Sequence, residues 1–257
     1  MNSSDNIIAV LSYNMPSLSD ALVNQIKQLV KIPYTLICFD NGSEKDKIAK
    51  STTHRIEQNT RLTGGMNSIL KIAKEYNPRR AWLLTNDIKF EYPNVDPLAN
   101  MIKHLEENPD IGVLHPSLIK PVPDYCYDYM VKIPNKENFN GITKGHSMVD
   151  FIAPFFSKDA LDSFNWKLDP RFPSWGSDYF FSYFVRKAGL SIGVDYSILL
   201  SHQTSITYDS GNDKEFKNRQ EYYKKAGEDM QKGMLEIFKT KDWYKEYFTE
   251  GNYKYNI

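Results

Sequence analysis

The chain has 257 residues, with 32 Lys plus Arg against 32 Asp plus Glu, 41% hydrophobic and 25% charged residues. That length suits one large domain, or a domain with an extension, around a substantial core. Its neutrality excludes the strongly basic footprint of a dedicated nucleic-acid binder, and no apolar run approaches the roughly 18 residues of a membrane-spanning helix.

The start, MNSSDNIIAVLSYN, has neither a basic segment nor the apolar core of a signal peptide. IIAVLSYN (Ile7 to Asn14) reads as a buried strand. After a turn at Pro16 and Ser17, Leu18, Leu22, Ile26 and Leu29 recur at helical spacing. YTLICFDNGS (Tyr34 to Ser43) is a second strand, followed by a short basic helix and the segment Thr53 to Asn59. Gly64 to Asn77 forms a helix with Met66, Ile69, Leu70 and Ala73 on one face. AWLLTND (Ala81 to Asp87) is a buried strand, Asp96 to Pro109 a capped helix, and Ile111 to Ile119 the next strand. Residues 120–146 are irregular. Ser147 to Phe156 is predicted as a strand, followed by a helix start at Ser157. Asp169 to Ser177 is a loop, Ser177 to Leu190 an amphipathic helix, and Ser191 to Gln203 extended. Asp213 to Lys239 is charged and helical in pattern, and the tail from Lys241 is aromatic and basic.

Strands alternating with helices imply right-handed crossovers and a single, mostly parallel α/β sheet of Rossmann-like kind. Ligands in such sheets bind beyond the carboxyl ends of the strands, which directs attention to Tyr13, Asp40 and Asp87. The loop after the first strand, SYNMPSLSD, lacks glycine. That excludes the dinucleotide fingerprint and the glycine-rich loop of a nucleotidyltransferase, and no P-loop occurs anywhere. Cys38 and Cys126 make neither a C-x-x-C nor a zinc pattern, so a reduced, cytoplasmic setting is expected.

Each candidate side chain has two readings. Asp40, in FDNGS, can accept hydrogen bonds from a base or ribose, or simply close a turn. Asp87 can ligate a divalent ion whose other ligands are diphosphate oxygens, or cap a turn. His202, ending SILLSHQ, suits Mn²⁺ beside a carboxylate and phosphates, or is structural. His54, His104, His115 and His146 show no ligand spacing. Asp178 opens a helix, either as a general base or as a cap stabilising by about 0.5–2 kcal/mol. Trp175 either stacks on an acceptor ring or packs in the core. Gly64 and Gly65 offer backbone N–H groups to an anion at a helix start, or make a plain turn.

In order, SYN, FDNGS, NTRLTGGMN, LLTND, WGSDYFFSYFVRKAG and a strand ending in His202 resemble the family 2 glycosyltransferases with the GT-A fold. The rhamnosyltransferase-like branch is the most similar, over roughly residues 7–203. The resemblance implies that Tyr13 and Asp40 contact the nucleoside. It puts Gly65 and Asn67 in the loop and helix that shape the donor pocket. Thr85, Asn86 and Asp87 correspond to the D-x-D-like motif, with Asn86 at the donor and Asp87 as the metal ligand. Asp178 matches the catalytic Asp of a Glu-Asp pair, and His202 a late metal-binding His. Ser177 replaces the usual Glu, Phe180 a further acid, Phe184 an Arg, and Thr85 the first acid of D-x-D.

The expectation is therefore a GT-A catalytic domain over 1–205 with a helical extension, 206–257, packed on it. Its activity is a metal-dependent (Mn or Mg) inverting transfer of a hexosyl or deoxyhexosyl group. The donor is a nucleotide sugar, and the acceptor a hydroxyl on a glycan, a lipid-linked molecule or another carrier. Two other readings stay open: a non-catalytic relative that binds nucleotide sugars or glycans, and an enzyme that glycosylates a DNA base, which the neutral charge disfavours. The Tyr- and Lys-rich tail could touch a membrane surface.

Overall fold

A computed structural model describes residues 5–91, 96–119, 130–132, 141–203 and 216–238. The expectations for most of 120–146 and for the aromatic tail lie outside them.

The first strand, β1 (Asn6–Ser12), is buried at every position. Helices cover both faces of such a sheet, so its strands read as unbroken apolar runs. α1 (Pro16–Leu29) starts on a proline, whose fixed φ and missing N–H suit the first turn, and buries Leu22, Val23 and Ile26. β2 (Thr35–Asn41) and β3 (His54–Ile56) follow. α2 (Arg61–Glu75) buries Met66, Ile69, Leu70 and Ala73, the face predicted from their spacing, but starts at Arg61 rather than Gly64. Then come β4 (Arg80–Thr85), β5 (Ile88–Glu91) and α3 (Pro97–Glu107). Asp96 caps α3, accepting from the Ala99 N–H at 3.0 Å. β6 (Ile111–Ile119), β7 (Val131–Lys132), β8 (Ile142–Lys144) and β9 (Phe155–Ser157) continue the sheet. α4 (Lys158–Ser163), α5 (Ser177–Lys187), β10 (Ser191–His202) and α6 (Arg219–Phe238) complete the described elements.

The strand order is β3-β2-β1-β4-β9-β6-β10-β5, with β7 on β6 and β8 on β10. β1, β2, β3, β4, β6, β7 and β10 share one direction, and the short β5, β8 and β9 run against them. The sheet is thus mostly parallel and flanked by helices, as the alternating pattern implied. β9 lies between β4 and β6 and runs against both. Trp82 anchors the centre, its Nε1–H donating to the Ala153 carbonyl at 2.9 Å and its ring edge-on to Phe90 and Phe155.

One expected strand is much shorter. Of Ser147 to Phe156, only Phe155 and Phe156 are in regular strand. Met148, Val149, Phe151, Ile152 and Ala153 are buried nonetheless, and burial without regular pairing looks the same as a core strand in sequence. Their backbone is satisfied piecemeal: Leu83 N–H donates to Pro154 O at 3.1 Å and Thr85 N–H to Ile152 O at 2.9 Å. Among the described residues no helix is long and apolar enough to cross a membrane.

Candidate functional site

β4 delivers Asp87 just past its carboxyl end, and β10 ends on His202. The antiparallel β5–β10 ladder pairs His202 with Ile88, and Gln203 N–H donates to Asp87 O at 2.7 Å. This register brings His202 Nε2 to 3.2 Å from Asp87 Oδ2. Burial alone would raise the Asp87 pKa, but the His202 charge and hydrogen bond hold it below the ordinary carboxylate value. Burial would likewise lower His202, but Asp87 and then Asp150 hold it above the ordinary imidazole value. Asp87 Oδ1 is buried with no hydrogen-bond partner.

An imidazole nitrogen beside a carboxylate with a spare buried oxygen is a donor set that suits Mn²⁺, while Mg²⁺ would draw only on the carboxylate. Among the described residues no three His, Cys, Asp or Glu side chains converge as a metal cage. Two protein donors leave the remaining positions to phosphate and water, as Mg²⁺-type sites commonly do.

Asp150 is the residue that sequence reasoning missed. The antiparallel pairing of β4 with β9 runs on beyond the regular ladder, through Leu83 with Pro154 and Thr85 with Ile152. Asp150 lies two residues before Ile152 on that segment, near enough to His202 and Asp87 for their charges to act on it. The Phe151 ring meets Phe181 of α5 edge-on at 5.4 Å, which seats the same segment against the helix that carries Asp178. Burial raises the Asp150 pKa; the His202 charge opposes that and the Asp87 charge adds to it. The available signal was a charged residue inside the apolar run MVDFIAPFF.

Asp178 lies in the first turn of α5 and accepts the Tyr179 N–H at 3.0 Å. The helix cap is Gly176, so Asp178 is not the cap that its position suggested. Burial, then the Asp150 charge, raise its pKa to about 7 against opposing backbone hydrogen bonds. A carboxyl poised there can exchange a proton at neutral pH. His115 braces the neighbouring segment: it donates from Nδ1 to Pro116 O at 2.5 Å and accepts the Ala153 N–H at Nε2 at 3.0 Å. Both bonds suit the neutral ring, and burial depresses its pKa to about 4.

Tyr13 and Asp40 sit on two loops that are tied together. Asn14 N–H donates to Ser43 Oγ at 2.8 Å, and Glu44 N–H to Asn14 Oδ1 at 2.9 Å. Tyr13 is half-buried. Asp40 is fully buried: its Oδ1 accepts the Ser43 N–H at 3.0 Å and lies 3.8 Å from Arg55 Nε, while Oδ2 has no hydrogen-bond partner. The turn that its sequence suggested is present, with one carboxylate oxygen left over.

The remaining candidates have structural partners. A Cβ on Gly65 would stand 2.6 Å from Leu11 Cδ1 and 2.9 Å from Asn41 Nδ2, so this glycine lets α2 approach the sheet. Asn67 uses its whole amide on Leu168, donating to the carbonyl at 3.0 Å and accepting the N–H at 2.8 Å. Asn86 donates to Ser19 Oγ at 2.9 Å. Trp175 packs under α6, its ring 5.1 Å from Tyr223 and 6.3 Å from Tyr222. α6 also reaches α2 through Asp229, 3.5 Å from the Arg61 guanidinium.

No family model matches the chain, and no curated protein matches its sequence. Solved structures do match. GalNAc-T7 with UDP, GalNAc and Mn²⁺ aligns at a TM-score of 0.61 and 12% identity, over 77% of this chain and 43% of that one. The mannosyltransferase PcManGT from Pyrobaculum calidifontis, in complex with GDP-Man and Mn²⁺, aligns at 0.54 and 16%, over 79% and 57%. S. aureus TarS 1-349 aligns at 0.53 and 12%, over 76% and 59%. The chain therefore spans about half the length of these proteins. At such identity the likeness is one of fold: the chain is built on the GT-A fold of these glycosyltransferases.

Proposed function

We propose that the chain is a metal-dependent, inverting glycosyltransferase of family 2, of the rhamnosyltransferase-like branch. It moves a hexosyl or deoxyhexosyl group from a nucleotide-diphosphate donor to a hydroxyl acceptor, in the cytoplasm. One observation carries this reading: a carboxylate–imidazole pair, Asp87 and His202 at 3.2 Å, shares one end of the sheet with Asp178, a carboxyl held near neutrality. The nucleotide sugars or nucleotides and Mn²⁺ bound by GalNAc-T7 and PcManGT on the same fold support it.

In this mechanism Tyr13 and Asp40 hold the nucleoside, Asn86 lies at the donor, and Gly65 and Asn67 shape the pocket wall. Asp87 and His202 would hold the divalent cation, which supplies charge neutralisation to the leaving diphosphate. Asp178 takes the proton of the acceptor hydroxyl as that oxygen bonds to the anomeric carbon. The bond to the diphosphate breaks on the opposite face, so configuration inverts. Trp175 flanks the acceptor. Residues 1–205 form the catalytic domain, and the helical extension, 206–257, packs on it.

The test is a panel of nucleotide sugars, screened for thermal stabilisation with and without Mn²⁺ and then for transfer. Transfer is expected with at least one donor, ceasing in EDTA. Full turnover in EDTA refutes the metal, and transfer with retained anomeric configuration refutes inversion.

A further inference from the structure

α5 starts with no side-chain cap. Gly176 occupies the cap position in the left-handed region, at φ 99°. Something else must fix the turn that carries Asp178. Ser177, the first helical residue, is 1% exposed. Its Oγ lies 2.5 Å from Thr63 Oγ1 and 3.3 Å from the Phe172 carbonyl oxygen. Thr63 Oγ1–H donates to that same carbonyl, and Thr63 N–H donates to Pro173 O at 3.1 Å. Each hydroxyl has a single proton to give. The pair is satisfied when Thr63 donates to Phe172 and Ser177 donates to Thr63. One turn along α2, Asn67 clamps Leu168 by both of its backbone groups. There is no slack at the cap: a Cβ on Gly176 would come within 2.5 Å of the Phe172 ring.

We propose that Thr63 and Ser177 form a buried latch that locks the first turn of α5, and with it Asp178, to the first turn of α2. The inference rests on the reading of Asp178 as the base. Thr63 and Ser177 are positioning residues, acting through Asp178. Ser177 stands where the resemblance places a Glu, and its burial leaves no room for that longer side chain. The departure exchanges an acid at the site for a tie between two helices.

Thr63→Val keeps the shape and deletes the hydroxyl, and Thr63→Ser keeps the hydroxyl. Misplacing a reacting group by about 1 Å costs up to about a hundredfold. Thr63→Val should therefore lower kcat by about ten- to a hundredfold while donor KM stays within about twofold, and Thr63→Ser should stay close to the parent. Amide exchange at Phe180, whose N–H donates to Gly176 O at 2.9 Å, should quicken in Thr63→Val and not in Thr63→Ser. That reading needs no turnover, so a parent protein without transfer activity sinks the proposed function while the latch is still judged. Unchanged Phe180 exchange in Thr63→Val, an undiminished kcat where transfer occurs, or equal damage in Thr63→Ser overturns the latch.

Discussion

Asp178→Asn should make the protein more stable and abolish its transfer activity. Folding raises the Asp178 pKa from 3.8 to about 7. At about 1.4 kcal/mol per tenfold change in proton affinity, holding the ionised form costs at most about 4 kcal/mol. Partial solvent contact and an effective dielectric of about 20 reduce that to about 1–2 kcal/mol. Between those two pKa values the folded state binds more protons than the unfolded chain, so stability falls as pH rises through the window. Asparagine carries no titrating charge. The gain is therefore expected to be absent near pH 4 and complete near pH 8, where it lifts Tm by about 2–8 °C. Melting curves in EDTA across that range measure it, and transfer at pH 8 should drop by about 10²–10⁴-fold. A variant whose Tm difference is the same at both ends, or negative at pH 8, refutes the claim that Asp178 is held ionised at a cost.

The paired donors give a second expectation. Mn²⁺ at a hundred times its Kd stabilises the folded form by about 2.7 kcal/mol, and Asp87→Ala or His202→Ala should remove that increment; an undiminished Mn²⁺ response in both variants refutes their pairing as ligands. The acid limb gives a third. Burial holds both His115 and His146 at about 4 against 6.5 in the unfolded chain, so their contribution is present above 6.5 and is lost as pH falls toward 4. Urea midpoints should drop over that interval, and less steeply in His115→Asn; an equal slope in the variant refutes the role of His115.

Much of the fold was legible because its strands are continuous apolar runs and its helices have one apolar face. Met66, Ile69, Leu70 and Ala73 read correctly from spacing alone. Asp87 and His202 were legible as polar residues ending apolar runs, and the resemblance set both on one metal, but their direct contact could not be read from the pattern, because it depends on β5. That strand has the alternation of Ile88 and Phe90 buried with Lys89 exposed. Four residues of it directly after another strand give too short a period to separate, and its partner β10 is distant in sequence. Asp150 was hidden for a related reason. A charge within an apolar run declares that something unusual happens there, but only the pairing of that segment with β4 says what it faces. The rings that pack against Trp175, Tyr222 and Tyr223, were not legible, because they lie almost fifty residues further along the chain.

The narrow strand β9 has a mechanical consequence. Wedged between β4 and β6 and bonded to both, it joins the two halves of the sheet like a spline in a slot. The peptide entering that slot carries Asp150, so this carboxylate takes its bearings from both halves at once. Shear between the halves would strain that entry peptide and, through it, the position of Asp150 relative to the Asp87 and Asp178 carboxylates with which its charge interacts. Rigidity at the seam, far from any loop tip, thus sets how accurately the acids stay aligned.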